Sequence, residues 1–433
     1  SQPVSERKFN TDSLEAVVNV LEKELTNYVN LPGFSNVTYK DIRKSLRKYE
    51  AAIEFIRFRY YDKEWTDIVL YCALVLRKEY EYPEMVLLFE EKELEKLLYK
   101  HAYTDEYNYI KHLYEPGLQK GDSLYTLTWL PLDKYLQDIK TVYISPSGLL
   151  NRIAFDAVPY DNQHILSDKY KIVYTSSTAQ ITDQKKLYAK DIDKAALFGG
   201  IEYEADISQM LKEVVKYTSK DEISQIVATR GDYLSLINKP IRGLVWTYLP
   251  GSQTEVEKIG NILSDNNKKY DLFTGISGSE EAFKDLSNYS PSVLHISTHG
   301  FYFGDDERSN KISQMRDNKL QYIHSKNPLV RSGILFAGAQ YVFSGNEIPF
   351  NMEDGVLTAY EVSHLNLLNT DLVVLSACQT GLGDVKGSEG VYGLQRAFKM
   401  AGVDYLLISL WQVPDYQTRE LMVSFYNKWL SGL

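Results

Sequence analysis

TDLVVLSACQTG, residues Thr370 to Gly381, decides how this chain is read. Leu372 to Leu375 is an uninterrupted apolar, β-branched run, the pattern of a strand covered on both faces of a parallel sheet. The small residues Ser376, Ala377 and Cys378 follow, and then Gln379 to Gly383, a loop through which the strand does not continue. In open α/β sheets ligands lie beyond the carboxyl ends of strands, and that is where Cys378 falls. VLHIS, Val293 to Ser297, repeats the pattern and is followed by Thr298, His299 and Gly300. Were the two strands neighbours, thiol and imidazole would share one rim.

That pairing has a definite chemistry. A thiolate attacks a peptide carbonyl, an imidazole passes a proton to the departing amine, and the acyl-enzyme is then hydrolysed by water. Backbone N–H groups after the histidine and at the cysteine supply the oxyanion donors, and Gly300 leaves room for the substrate backbone. The residues by themselves also fit a plainer picture. A buried free cysteine behaves as a small hydrophobe, and a histidine at a strand end is commonly just hydrogen-bonded. His295 lies four residues before His299, inside the strand, and reads as a buried supporting group. His324 and His364, in an expected loop and helix, are assigned no chemistry.

Composition narrows the function classes. The 433 residues are enough for two or three domains, and 44% hydrophobic with 24% charged residues is ordinary globular composition. A net charge of −10, with no basic cluster interleaved with aromatics, argues against direct nucleic-acid binding. The two cysteines, Cys72 and Cys378, form neither a disulfide framework nor a zinc spacing. Cys72 in DIVLYCALVL reads as a buried strand residue, and no metal or cofactor is expected. The polar start, SQPVSERKFN, is not a signal peptide, and stretches such as YLLISLW are too short to span a membrane. A cytoplasmic protein is expected.

Along the chain, Leu14, Val17, Val18, Leu21 and Leu25 form a helical stripe within Ser13 to Val29. Strands are expected at AAIEFIRF, DIVLYCALVL and EMVLLF between Ala51 and Phe89, then a charged helix from Glu90 to His101. Helices broken at Glu115-Pro116-Gly117 fill Tyr103 to Leu136, and strands follow near Thr141 to Ser145 and Lys171 to Thr175. The polar stretch from Thr182 to Lys194 is the expected domain junction. From Ala195 strand and helix alternate, which implies a mainly parallel sheet. Ser252 to Glu255 reads as a capping box, and Val391, Leu394 and Phe398 as the core face of a helix stopped at Gly402. Asp305 to Asn327 and Phe343 to Asp354 are long polar connections, expected to act as flaps over the cleft. The chain begins without methionine and ends after LMVSFYNKWLSGL, so a fragment or processed chain is expected.

Several segments, taken in order, resemble the CHAT domain of the caspase-like, separase-related cysteine peptidases. They are DGVLTAYEVSHLNLLNTDLVVLSACQTGLG (Asp354 to Gly383), GSEGVYGLQRAFKMAGVDYLLISLWQVPD (Gly387 to Asp415), LMVSFY (Leu421 to Tyr426), LPGSQTEVEKI (Leu249 to Ile259), VLHISTHGFY (Val293 to Tyr302) and LVRSGILFAGA (Leu329 to Ala339). KTVYISPSGLLNRIAFDAVP (Lys140 to Pro159) and YKIVYTSS (Tyr170 to Ser177) match the first half of such proteins. The resemblance implies an α/β, caspase-like fold: a mainly parallel central sheet with flanking helices, preceded by an inactive, pseudo-caspase-like α/β subdomain and an N-terminal helix. On that division residues 1–38 are a helical segment, a remnant of the TPR array common in the family, 39–187 the inactive subdomain and 188–433 the catalytic one.

Carried over by position, the resemblance makes His299 the catalytic imidazole and Cys378 the nucleophile, with the backbone of Gly300 and Cys378 as oxyanion hole. It also implies an acidic residue that pairs with a basic P1 side chain. Asp415 is the first candidate and Glu389 the second, each with a simpler role open to it: Asp415 as a helix cap, Glu389 as a carboxylate in a helix's first turn. The expected partners are a protein substrate and an activating protein or sensor module, in bacterial signalling or defence. Three functions stay open: a gated cysteine endopeptidase, a silent scaffold that binds protein partners, and another thiol enzyme such as an acyltransferase. Intact His299, Gly300 and Cys378 favour the first.

Overall fold

The computed structural model describes residues 37–98, 106–118, 123–182, 192–217, 245–303, 322, 325, 327–344, 346, 348, 352–377, 384–385, 391–410 and 415–432. In chain order its strands are β1 (Glu50–Asp62), β2 (Glu64–Arg77), β3 (Glu84–Glu90), β4 (Thr141–Ser145), β5 (Lys171–Tyr174), β6 (Lys194–Ile201), β7 (Lys269–Gly275), β8 (Val293–Ser297), β9 (Gly300–Tyr302), β10 (Ser332–Leu335), β11 (Val356–Thr358), β12 (Leu372–Ser376), β13 (Asp384–Val385), β14 (Val391–Tyr392) and β15 (Tyr405–Ile408). The helical stripe expected between Ser13 and Val29, and most of Asp305 to Asn327 with His324, lie outside the described residues.

The first sheet runs β3-β2-β1-β4-β5 and is mixed. β1 pairs antiparallel with β2, and β2 with β3, while β1, β4 and β5 are parallel. Phe55, Tyr71, Trp129 and Phe155 fill its core. Cys72 is buried on β2, as its apolar surroundings in the sequence suggest, and burial pushes its thiol pKa up. The Arg57 guanidinium donates to Glu91 at 2.6 Å, and the buried Tyr71 hydroxyl donates to the same carboxylate at 2.8 Å. This carboxylate opens the helix Glu91–Leu97 and fastens it to two strands.

The second sheet, in the order β15-β12-β8-β6-β7, is parallel throughout. All five residues of β8 and all five of β12 are buried, as strands between two helical layers must be. The pleat sends alternate side chains to opposite faces. Leu294, Ile296, Val373 and Leu375 pack with Phe198, Phe283 and Phe336 on one side. Val293, Leu372 and Val374 pack on the other with Val256, Ile259 and Leu263 of the helix Pro250–Asp265 and with Tyr426 of the helix Asp415–Leu430. β9, β10 and β11 form a separate antiparallel sheet, which the reading of regular strand–helix alternation did not anticipate.

Two local expectations are corrected. The helix Pro250–Asp265 has Leu249 as its N-cap and proline in its first turn, so Ser252 lies inside it and is not the cap. Ser252 is wholly buried, donates to the Leu249 carbonyl at 2.8 Å and accepts the Gly200 N–H at 2.8 Å, tying the helix start to the end of β6. Val391 belongs to β14, whereas the helix starts at Leu394 with Gly393 as N-cap; Leu394 and Phe398 are its core face, and Gly402 follows at φ 103°. Glu389 therefore precedes β14 and is not in the helix's first turn.

Candidate functional site

Register brings the two motifs together. β8 and β12 are adjacent and parallel, with Val293 opposite Leu372 and Ser297 opposite Ser376 at their carboxyl ends. His299 is two residues beyond Ser297, and Cys378 is two residues beyond Ser376. Cys378 and Glu389 lie outside the described residues. Asp415 is the first residue of the C-terminal helix, and Gly300 opens β9 opposite Ile334.

His299 is held on several sides. Its backbone N–H donates to the Tyr203 hydroxyl at 3.2 Å, and its carbonyl accepts the Leu335 N–H at 3.0 Å. The Thr298 hydroxyl donates to the Leu335 carbonyl at 2.6 Å and so accepts from Tyr203 at 2.8 Å. These bonds form one directed chain, from the His299 amide through Tyr203 and Thr298 to Leu335, in a buried setting where an unmade bond would be costly. The imidazole lies against the rings of Tyr203 and Trp246, at centroid distances of 4.9 and 5.3 Å. Its Nε2 is 2.7 Å from the Thr247 carbonyl oxygen. A carbonyl only accepts, so Nε2 carries the proton in this bond.

His295 is a different kind of residue. It is fully buried, with Nε2 2.8 Å from Glu255 Oε1 and Nδ1 3.3 Å from the Tyr426 hydroxyl. Nε2–H donates to the carboxylate and Nδ1 accepts from the phenol, so both ring nitrogens are satisfied within the core. Burial, reinforced by the Glu255 charge, drives the Tyr426 pKa up and keeps that phenol protonated. The supporting role expected for His295 fits this arrangement, but its partner is Glu255, the carboxylate expected in a capping box. The one cue in the sequence was the spacing of Glu255 from Val256, Ile259 and Leu263, which leaves it beside the buried stripe. His364 is exposed and its Nδ1 bonds the Tyr360 carbonyl at 2.7 Å, a local contact with no link to this rim.

A cleft of about 580 Å³ is lined by Tyr203, Trp246 and Thr247, the three residues that pack on or bond the His299 ring, and by the ends of β6 and β7 at Gly200 and Gly275. Nothing in the sequence singled out Trp246 or Thr247, because one contributes a ring face and the other a main-chain oxygen.

One group of carboxylates has the proximity of a cation site. Oxygens of Glu280, Glu353 and Glu361 lie within 4.8 Å of one another. The ammonium of Lys284 already serves as their cation, at 2.8, 2.6 and 3.0 Å respectively. Burial first, and then the neighbouring Asp354 charge, push the Glu280 pKa well up against the pull of Lys284. Burial opposes the charge on Lys284, but the carboxylates, Glu280 foremost, outweigh it and hold its pKa high. The cluster fastens the helix Glu280–Asp285 to the segment before β11 and to the helix after it.

Among the described residues no helix is long and apolar enough to cross a membrane. Two comparisons bear on identity. Tetratricopeptide repeat protein 28 of Mus musculus is 38% identical over 78 residues, which is 18% of this chain and 3% of that protein. The Homo sapiens protein of the same name is 38% identical over 82 residues, 19% of this chain and again 3% of its own length. The chain thus spans only a small part of the curated relatives it matches. The family model for the CHAT domain matches residues 118–433, which takes in the whole parallel sheet, the His299 rim and the C-terminal helix. The chain belongs to the CHAT domain family, with the α/β architecture of the caspase-like peptidases.

Proposed function

We propose that this protein is a cysteine endopeptidase that cuts a specific protein partner, with Cys378 as nucleophile and His299 as general acid and base. The observation that carries the reading is the β8–β12 register, from which both residues follow at equal distance beyond paired serines. The Thr247 carbonyl adds to it, since it fixes the His299 ring with Nε2 protonated.

The reaction then runs as follows. Nδ1 of His299 takes the thiol proton, and the Cys378 sulfur attacks the scissile carbonyl carbon. Backbone N–H groups at Gly300 and Cys378 receive the oxyanion. The C–N bond breaks as His299 returns the proton to the departing amine, which leaves an acyl-enzyme. Water, deprotonated by the same nitrogen, releases the acid and restores the thiol. Holding the ring in one orientation lowers the entropy lost in reaching the transition state.

Specificity for a basic P1 residue is assigned to Asp415, with Glu389 second. Residues 39–187 form the supporting, catalytically silent unit, 188–433 the catalytic one, and 1–38 the end of a helical array. The tetratricopeptide repeats named in the matched relatives suit a protein regulated by a bound partner. That activating partner orders the loops after His299 and before Asp354 and so gates access to Cys378, in a cytoplasmic signalling or defence pathway.

The test is to incubate wild type and Cys378→Ala with a proteome, with and without partner proteins, and to map new termini. Termini that appear with wild type alone are expected, together with labelling of Cys378 by a peptide electrophile. Termini produced equally by both proteins would reject the peptidase in favour of a scaffold.

A further inference from the structure

We infer that the cleft beside His299 is a recognition pocket for an arginine or lysine side chain of the protein substrate, on the leaving-group side of the scissile bond. The inference rests on the peptidase reading, and concerns residues to which that reading gives no role.

Position is the first argument. In the sheet order, β12 flanks β8 on one side and β6 on the other. The chain reaches Cys378 from β12, whereas the cleft lies at the ends of β6 and β7. An imidazole that takes a proton from the thiol and gives it to the departing amine has the nucleophile on one flank and the departing segment on the other. The cleft occupies that second flank.

Its lining supplies the chemistry. Glu202 and Glu204 both border it, their side chains exposed, while Tyr203 between them is turned into the core against Thr298. Neither carboxylate has an ion-pair or hydrogen-bond partner among the described residues, and no basic side chain is among the described residues that line the cleft. Two unpaired carboxylates at one mouth favour a cation, and a guanidinium most, because it can meet both in one plane. Trp246 and Tyr248 supply ring faces for the same group.

The volume of about 580 Å³ suits a side chain with its flanking backbone.

The test uses the Cys378→Ala protein, which separates binding from turnover. Calorimetry would compare acetyl-Gly-Gly-Arg-Gly-Gly-amide with the same peptide carrying citrulline, a neutral isostere of arginine. Two solvent-exposed ion pairs predict binding up to about tenfold tighter for the arginine peptide at low salt. Glu202→Gln with Glu204→Gln should abolish that preference. Equal binding of the two peptides, or a preference that survives the double substitution, overturns the pocket. Arginine-selective binding without any Cys378-dependent cleavage by wild type would leave the pocket standing and reject the peptidase. Cys378-dependent cleavage with no enrichment of Arg or Lys at the three positions after the cut would do the reverse.

Discussion

Replacing Lys284 by methionine keeps the length of the side chain and removes the cation from a fully buried carboxylate. In the native protein the ammonium sits 2.8 Å from Glu280, which is itself sealed from solvent. Without it the folded chain either keeps a buried, unpaired charge or protonates Glu280, and the cheaper course sets the cost. From the ordinary Glu value of 4.5, protonation at pH 7 costs about 1.4 kcal/mol for each of two and a half pH units, a ceiling of about 3.5 kcal/mol. Glu353 and Glu361 are partly exposed, so their lost pairing adds under about 1 kcal/mol. The sign follows from Glu280 being raised in the fold. Its contribution to stability is complete below pH 4.5 and is lost as pH rises, more steeply once Lys284 no longer opposes the shift. Burial raises Glu281 and Asp354 too, but both proteins share them, so the difference between variant and wild type isolates Glu280. Urea denaturation at pH 5, 6 and 7 should show a deficit for Lys284→Met that grows with pH and is largely removed by adding Glu280→Gln. A deficit independent of pH, or a double variant as weak as the single, would refute the reasoning.

Glu255→Ala strands the buried Nε2–H of His295 and should cost about 1–3 kcal/mol by denaturation, Glu255→Gln less. Neither should change the rate at which iodoacetamide alkylates Cys378, and a large change would give His295 a part in the chemistry. Gly355 has φ 75°, and an added Cβ would stand 2.6 Å from the Ala337 carbonyl oxygen. Gly355→Ala should therefore cost at least about 2 kcal/mol, read as a fall in Tm, and an unchanged melt would show that this turn can relax. Asp415→Ala should cripple cleavage after Arg or Lys while leaving active-site alkylation intact. An unchanged P1 profile would remove Asp415 from the specificity pocket.

What could be read in advance depended on the kind of interaction. The apolar run Leu372–Leu375 announced β12, and β8 was legible although His295 interrupts its apolar residues, because a strand buried on both faces carries few polar side chains. Their adjacency, fixed by the Ser297–Ser376 register, is not written in either run, since strand order is set by crossovers rather than by local pattern. The short antiparallel sheet at Gly300–Tyr302, Ser332–Leu335 and Val356–Thr358 went unread because three- and four-residue strands are too brief to show a period. Ser252 misled because its hydroxyl has the chemistry of a cap but is spent on Gly200, a partner far away in sequence. Glu255 misled in the same way, through His295. Thr247 was invisible for a deeper reason, since it acts through an atom that every residue possesses.

That last point bears on how the protein tolerates change. With the imidazole steered by main chain, the identity of residue 247 is nearly free, and substitutions at this exposed position should leave the ring where it is. Spacing is another matter. Pro250 begins the helix three residues later, and Ser252 anchors that helix to β6. An insertion or deletion between 247 and 250 would move the oxygen relative to the imidazole with no compensating slack. In this short stretch the fold constrains length far more strictly than letters, so homologues of divergent composition can share one base geometry.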